Sequence, residues 1–173
     1  MRTAGRQTGK LREFTAQLAQ RLQAAAGQTS DTQRLMVRIG SDDYLVPLPQ
    51  AGEVAPLPSI TPVPWTRPWF RGLANIRGRL VGVVDLRHYA GGAPLAAAEG
   101  AQLLVLGAAL PLNVALLITR AAGLRDWKEL QAAAVADGPA WCRQRWIDNN
   151  RHELIELDLA ALAADEDFGA IGV

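Results

Sequence analysis

The residues best suited to chemistry fall in one stretch: residues 70–86, FRGLANIRGRLVGVVDL, set Arg71, Arg77 and Arg79 around Gly72 and Gly78. A guanidinium held on a rigid strand loses little freedom when it pairs with a carboxylate, so this arrangement suits recognition of an acidic partner. The same arginines would equally serve as solvated charges along a sheet edge. Other candidate groups are few. His88 and His152 have Asp85 and Glu153 near them in sequence, and Cys142 is the single cysteine. A metal site needs about three convergent ligands, and a Cys142–His152 nucleophile pair needs a contact that their spacing does not establish. The sequence contains no G-x-x-x-x-G-K-[ST] loop, G-x-G-x-x-G turn, G-x-S-x-G elbow or H-E-x-x-H pair, so catalysis has no starting point and neither metal nor cofactor is expected.

The bulk properties narrow the function class. A chain of 173 residues, 49% hydrophobic and 20% charged, is expected to fold as one compact domain or two small intertwined subdomains. Eighteen basic against 17 acidic residues leave a net charge of +1; no global field holds the chain on a polyanion, so nucleic acid is excluded as a main partner. One cysteine cannot form an internal disulfide, and residues 1–25 combine Arg2, Arg6 and Lys10 with no apolar run of signal-peptide type, which points to the cytoplasm. Residues 103–118, LLVLGAALPLNVALLI, are apolar but interrupted by Pro111 and Asn113. They fall short of the roughly 20 residues of a spanning helix, and two buried strands joined by a Pro-Leu-Asn turn are expected, with no direct membrane insertion.

The elements that must position the arginines follow from patterning. Leu11, Phe14, Leu18 and Leu22 predict an amphipathic helix over 10–26, closed by Gly27 and a polar linker; its apolar stripe needs a covering surface, either this domain or a partner. Short strands follow at LMVRI, at YLVPL after a turn at Ser41-Asp42-Asp43, and at EVAPL. Seven of the ten prolines fall between 47 and 68, so these strands must lie at edges or end early. The apolar residues on both sides of Arg77-Gly78-Arg79 predict a hairpin turned at Gly78. Asp126 with Glu129 three residues on predicts a helix over 126–136, stopped by Gly138-Pro139. A strand at RWID, a turn at 149–151, a strand at HELIEL and a helix at DLAALAA close the chain. The five tryptophans suit barrel cores and interfaces equally well.

The order aromatic, basic, Gly, then Leu-Ala-Asn-Ile-Arg-Gly and an apolar strand ending in Asp85-Leu86 resembles the central motif of the CheW family of chemotaxis coupling proteins. Tyr44-Leu45-Val46-Pro47-Leu48 and Gly52-Glu53-Val54 resemble that family's first hairpin, and residues 113–124 and 154–162 resemble its later strands and closing helix. Thr119-Arg120 stands where many relatives carry an acidic residue. The proline in the first hairpin, the Trp65–Trp69 loop and the Asp165-Glu166-Asp167-Phe168 ending are most similar to the adaptors of type IV pilus twitching systems. The resemblance implies a mainly β fold of two intertwined five-stranded SH3-like β-barrel subdomains with an N-terminal helix and a short C-terminal helix. It divides the chain into a helix and linker (1–32), a CheW-like domain (33–165) and a tail (166–173). It implies a non-enzymatic adaptor without cofactor, recruited to membrane-associated receptor arrays. The implied partners are the regulatory domain of a CheA-type histidine kinase and the cytoplasmic tip of a methyl-accepting chemoreceptor. Alternatives are a scaffold or decoy that binds one partner, and a flagellar coupling protein. By position, Glu53, Val54, Arg71 and Arg77 are the implied partner contacts; Gly72, Asn75 and Gly78 shape the turn; Asp85 caps or pairs locally; Val83 and Leu86 are core.

Overall fold

The computed structural model describes residues 32–133 and 138–173; the predicted helix at 10–26 lies outside them. Twelve strands form among these residues: β1 (Gln33–Ile39), β2 (Asp42–Pro47), β3 (Ala51–Pro56), β4 (Ile60–Thr61), β5 (Phe70–Ile76), β6 (Arg79–Val84), β7 (Gln102–Leu106), β8 (Val114–Ile118), β9 (Arg120–Asp126), β10 (Gln131–Ala132), β11 (Cys142–Ile147) and β12 (Glu153–Leu157). Three short helices accompany them: α1 (Leu86–Tyr89), α2 (Leu159–Ala163) and α3 (Glu166–Gly169).

The strands assemble into two six-stranded sheets, ordered β10-β11-β12-β2-β1-β9 and β3-β7-β8-β6-β5-β4. Each has five principal strands and one two-residue strand, which accounts for the difference from the expected five. The first sheet takes both ends of the described chain and the second takes its middle, so the subdomains are intertwined. Two parallel pairings, β12 with β2 and β6 with β8, lock the later strands onto the earlier hairpins. One continuous core spans both sheets, from Val37, Ile39 and Val46 to Val83, Leu116 and Leu157. All five residues of β8 are buried, as are four of the five of β7. Strands covered on both faces read as unbroken apolar runs, which explains how residues 103–118 came to look like a membrane segment. No helix among the described residues is long and apolar enough to cross a membrane.

Proline ends strands as expected: β2 stops at Pro47 and β3, a sheet edge, at Pro56. The first turn falls at Gly40-Ser41, one step earlier than predicted, and Asp42 and Asp43 open β2. Of the helix predicted over 126–136, the described part, 126–133, is not helical beyond a single turn. Asp126 does cap, accepting from the Lys128 backbone N–H at 3.0 Å, but it caps a single 3-10 turn, Trp127–Glu129. Gln131 and Ala132 then pair with Ile147 and Trp146, because the exposed edge of β11 offers ladder bonds that a helix would forgo. The segment read as a tail is packed. Phe168 is only 2% exposed, and Ile171 and Val173 bond to the Trp65–Arg67 loop.

Candidate partner-binding surface

The β5–β6 hairpin turns on two residues, Arg77 and Gly78, with φ of +50° and +83°. Positive φ at both central positions marks a type I′ turn, whose twist matches that of the flanking strands. The Asn75 side-chain oxygen accepts from the Gly78 N–H at 2.8 Å and fixes the turn from one side. Arg77 thus occupies a left-handed conformation that costs a side-chain-bearing residue about 1–2 kcal/mol. Its guanidinium is held out from the fold, 80% exposed, with one nitrogen 3.4 Å from Glu53 Oε2.

Glu53 comes from β3, at the far edge of the same sheet. Four strand steps separate β3 from β5, about 19 Å across a flat sheet, so a 3.4 Å contact requires the sheet to roll until its edge approaches the hairpin. A bulge contributes: one extra residue is accommodated between Ala51 and Val54 against β7, and bulges re-aim the side chains they carry. Gly52 makes this possible, since a Cβ there would meet the Leu106 carbonyl oxygen at 2.8 Å. Val54 lies opposite Leu104, half-buried against the core.

Arg71 belongs to a different arrangement. It sits in a second bulge, between Phe70 and Gly72, and its guanidinium reaches inward to the Leu95 carbonyl at 3.1 Å and to Asp85 Oδ2 at 3.4 Å. Asp85 is fully buried. It accepts from the Leu95 N–H at 2.7 Å and, through its other oxygen, from the His88 N–H at 3.1 Å, capping α1. Buried carboxylates persist where donors and a cation compensate them, and Asp85 has all of these. Arg71 therefore braces the loop while its side chain stays partly exposed. Gly72 lies at this bulge and not at the hairpin turn: its φ is +128°, and a Cβ would meet the Thr61 carbonyl oxygen at 2.2 Å. Val83 and Leu86 are core. Arg79 reaches from the turn to the Asn113 side chain at 3.4 Å.

The structure thus brings Glu53, Val54, Asn75, Arg77 and Gly78 to one rim and leaves Arg71 and Gly72 at the other end of β5. Sequence spacing gave no sign of the Asp85 hub joining Arg71, α1 and the Leu95 loop, because Leu95 contributes only backbone atoms. The alternative chemistry fails on geometry. Cys142 lies opposite Leu157, whereas Glu153, next to His152, lies opposite Ile147 at the far end of the ladder, about 17 Å away at strand spacing. Burial raises the Cys142 thiol above its ordinary value, contrary to an activated nucleophile. Among the described residues no three His, Cys, Asp or Glu side chains converge as metal ligands.

The family model of the CheW-like domain matches residues 33–167. Protein PilI of Pseudomonas aeruginosa is 37% identical over 54 residues, which cover 31% of this chain and 30% of that protein. The crystal structure of the scaffolding protein TtCheW from Thermoanaerobacter tengcongensis superposes with a TM-score of 0.66, covering 82% of this chain and 97% of that one at 15% identity, and so shares the fold.

Proposed function

The chain belongs to the CheW-like domain family, and from that premise we propose that it is a non-enzymatic adaptor coupling chemoreceptors to a CheA-type histidine kinase. The stretch similar to PilI supports an array that controls twitching through type IV pili. The observation that carries the proposal is the Arg77 guanidinium, held outward in a strained turn beside Glu53 at a sheet edge. Strain that persists where glycine or asparagine would relieve it points to use of the side chain. Arg77 and Glu53 make the partner contact, Val54 supports Glu53 from the core side, and Arg71 contributes by fixing the loop at the base of β5. An adaptor of this kind acts by geometry: holding receptor and kinase together, it shifts the kinase's equilibrium through contacts that differ between kinase states.

Co-sedimentation of the full chain with a receptor cytoplasmic fragment and the kinase's regulatory domain tests this. Arg77→Glu would place a carboxylate beside Glu53 while leaving the buried core untouched. The expected result is a folded protein whose binding to at least one partner falls about tenfold, as for loss of one interface arginine. Unchanged binding to both partners overturns the assignment.

A further inference from the structure

At the other end of β5 from Arg77, about 23 Å away along the strand, an open cleft of about 470 Å³ is lined by residues that include Arg67, Trp69, Tyr89, Trp141, Asp165 and Asp167. We propose that this cleft is a second docking site, taking the guanidinium or ammonium side chain of a partner protein.

The cleft has the parts that recognition of an organic cation requires. Its wall is aromatic and rigid. Trp69 stacks on Phe168 with ring centres 5.7 Å apart and planes 5° from parallel; Tyr89 meets both edge-on at 5.0 and 5.2 Å, and Trp141 lies 6.1 Å from Tyr89. Electron-rich ring faces attract cations, and the aliphatic stem of arginine or lysine packs well on them. The charge matches too: two carboxylates against one guanidinium leave the lining at −1. Asp165 is pre-set, since its Oδ1 accepts from the Asp167 N–H at 3.0 Å, and its charge acts on the Tyr89 hydroxyl. Burial first, and then Asp165, push the Tyr89 hydroxyl up to about 12, so Tyr89 remains a donor at neutral pH.

An anchor stands beside the cleft. Trp65, two residues before Arg67, is 83% exposed and has a φ of +60°. The C-terminal residues hold it there: the Val173 N–H donates to the Trp65 carbonyl at 3.0 Å, and Thr66 bridges to Gly172. An exposed tryptophan fixed on a strained, doubly tied loop has the character of an interface anchor. The wide mouth and this rim favour a side chain presented on polypeptide over a small free cation.

The experiment is a titration of the isotope-labelled full chain with a short acetylated peptide carrying one central arginine, followed through the indole N–H signals of Trp69 and Trp141. A peptide with the neutral isostere citrulline is the control. Saturable shifts are expected with arginine and not with citrulline. Asp167→Asn, which spares the Asp165 cap, should weaken binding about threefold, and Tyr89→Phe, which keeps the ring but removes its hydroxyl donor, should also weaken it. Arg77→Glu should leave the titration unchanged, separating this site from the hairpin surface. Equal shifts with both peptides, shifts that do not saturate, or no effect of Asp167→Asn overturns the proposal.

Discussion

Two glycines of the central stretch do different work, and the difference is measurable. At Gly78 a Cβ would meet nothing within 4 Å, so Gly78→Ala carries only the cost of a positive φ, about 1 kcal/mol. At Gly72 the same methyl would press against the Thr61 carbonyl oxygen at 2.2 Å as well as suffering a φ of +128°. Strain and overpacking together should cost about 3 kcal/mol. Urea denaturation of the two variants checks the order; equal losses would mean that β4 can move away from β5. From sequence the two look alike. The turn at Gly78 is legible because apolar strands flank it, but the crowding at Gly72 comes from Thr61, a residue brought in by tertiary pairing. Asp85 was legible as a local cap and hidden as the partner of Arg71 for the same reason.

At the scale of elements, local signals held wherever tertiary pairing agreed with them. The apolar runs of 103–118 became β7 and β8, and the Asp158 cap starts α2 by accepting from Ala160 and Ala161. They failed where a sheet edge competed. The Asp126 cap is real, but the residues after Glu129 gain more from pairing with β11 than from extending one helical turn. The C-terminal segment gave the opposite lesson: residues 166–173 read as a tail, yet one aromatic within them decides their fate. Phe168 stacks on Trp69 and is almost wholly buried, so Phe168→Ala should destabilise the domain by about 3–4 kcal/mol. A fall in thermal midpoint tests this; an unchanged midpoint would make α3 dispensable.

For the whole molecule, composition made a substantial core legible and the run of short strands between Gly and Pro turns a mainly β fold, but not the closure. Both sheets depend on parallel pairings between segments far apart in the chain, and no local pattern encodes them. An ion pair across the β1–β2 hairpin adds a pH dependence. The Arg38 guanidinium, bonded to both Asp43 oxygens at 2.8 and 2.7 Å, holds the Asp43 carboxyl below its ordinary 3.8. A depressed carboxyl contributes stability that is present above its unfolded value and lost as pH falls through the folded one. Denaturation midpoints should therefore fall on acidification below 3.8, and less steeply in Asp43→Asn. Burial raises Tyr44 and Tyr89 to about 12, so their contribution is complete below the ordinary 10 and is lost as pH rises from 10 towards 12.

Arg77 is kept in a strained turn for a partner and not for the fold. Arg77→Gly separates the two uses, because glycine relieves the left-handed backbone while removing the charge. The decisive measurement is the affinity of this variant for the receptor fragment and the kinase regulatory domain, alongside its denaturation midpoint. The expected stability equals the parent's or exceeds it by up to about 1 kcal/mol, with binding to at least one partner reduced about tenfold. Full binding to both partners would contradict it.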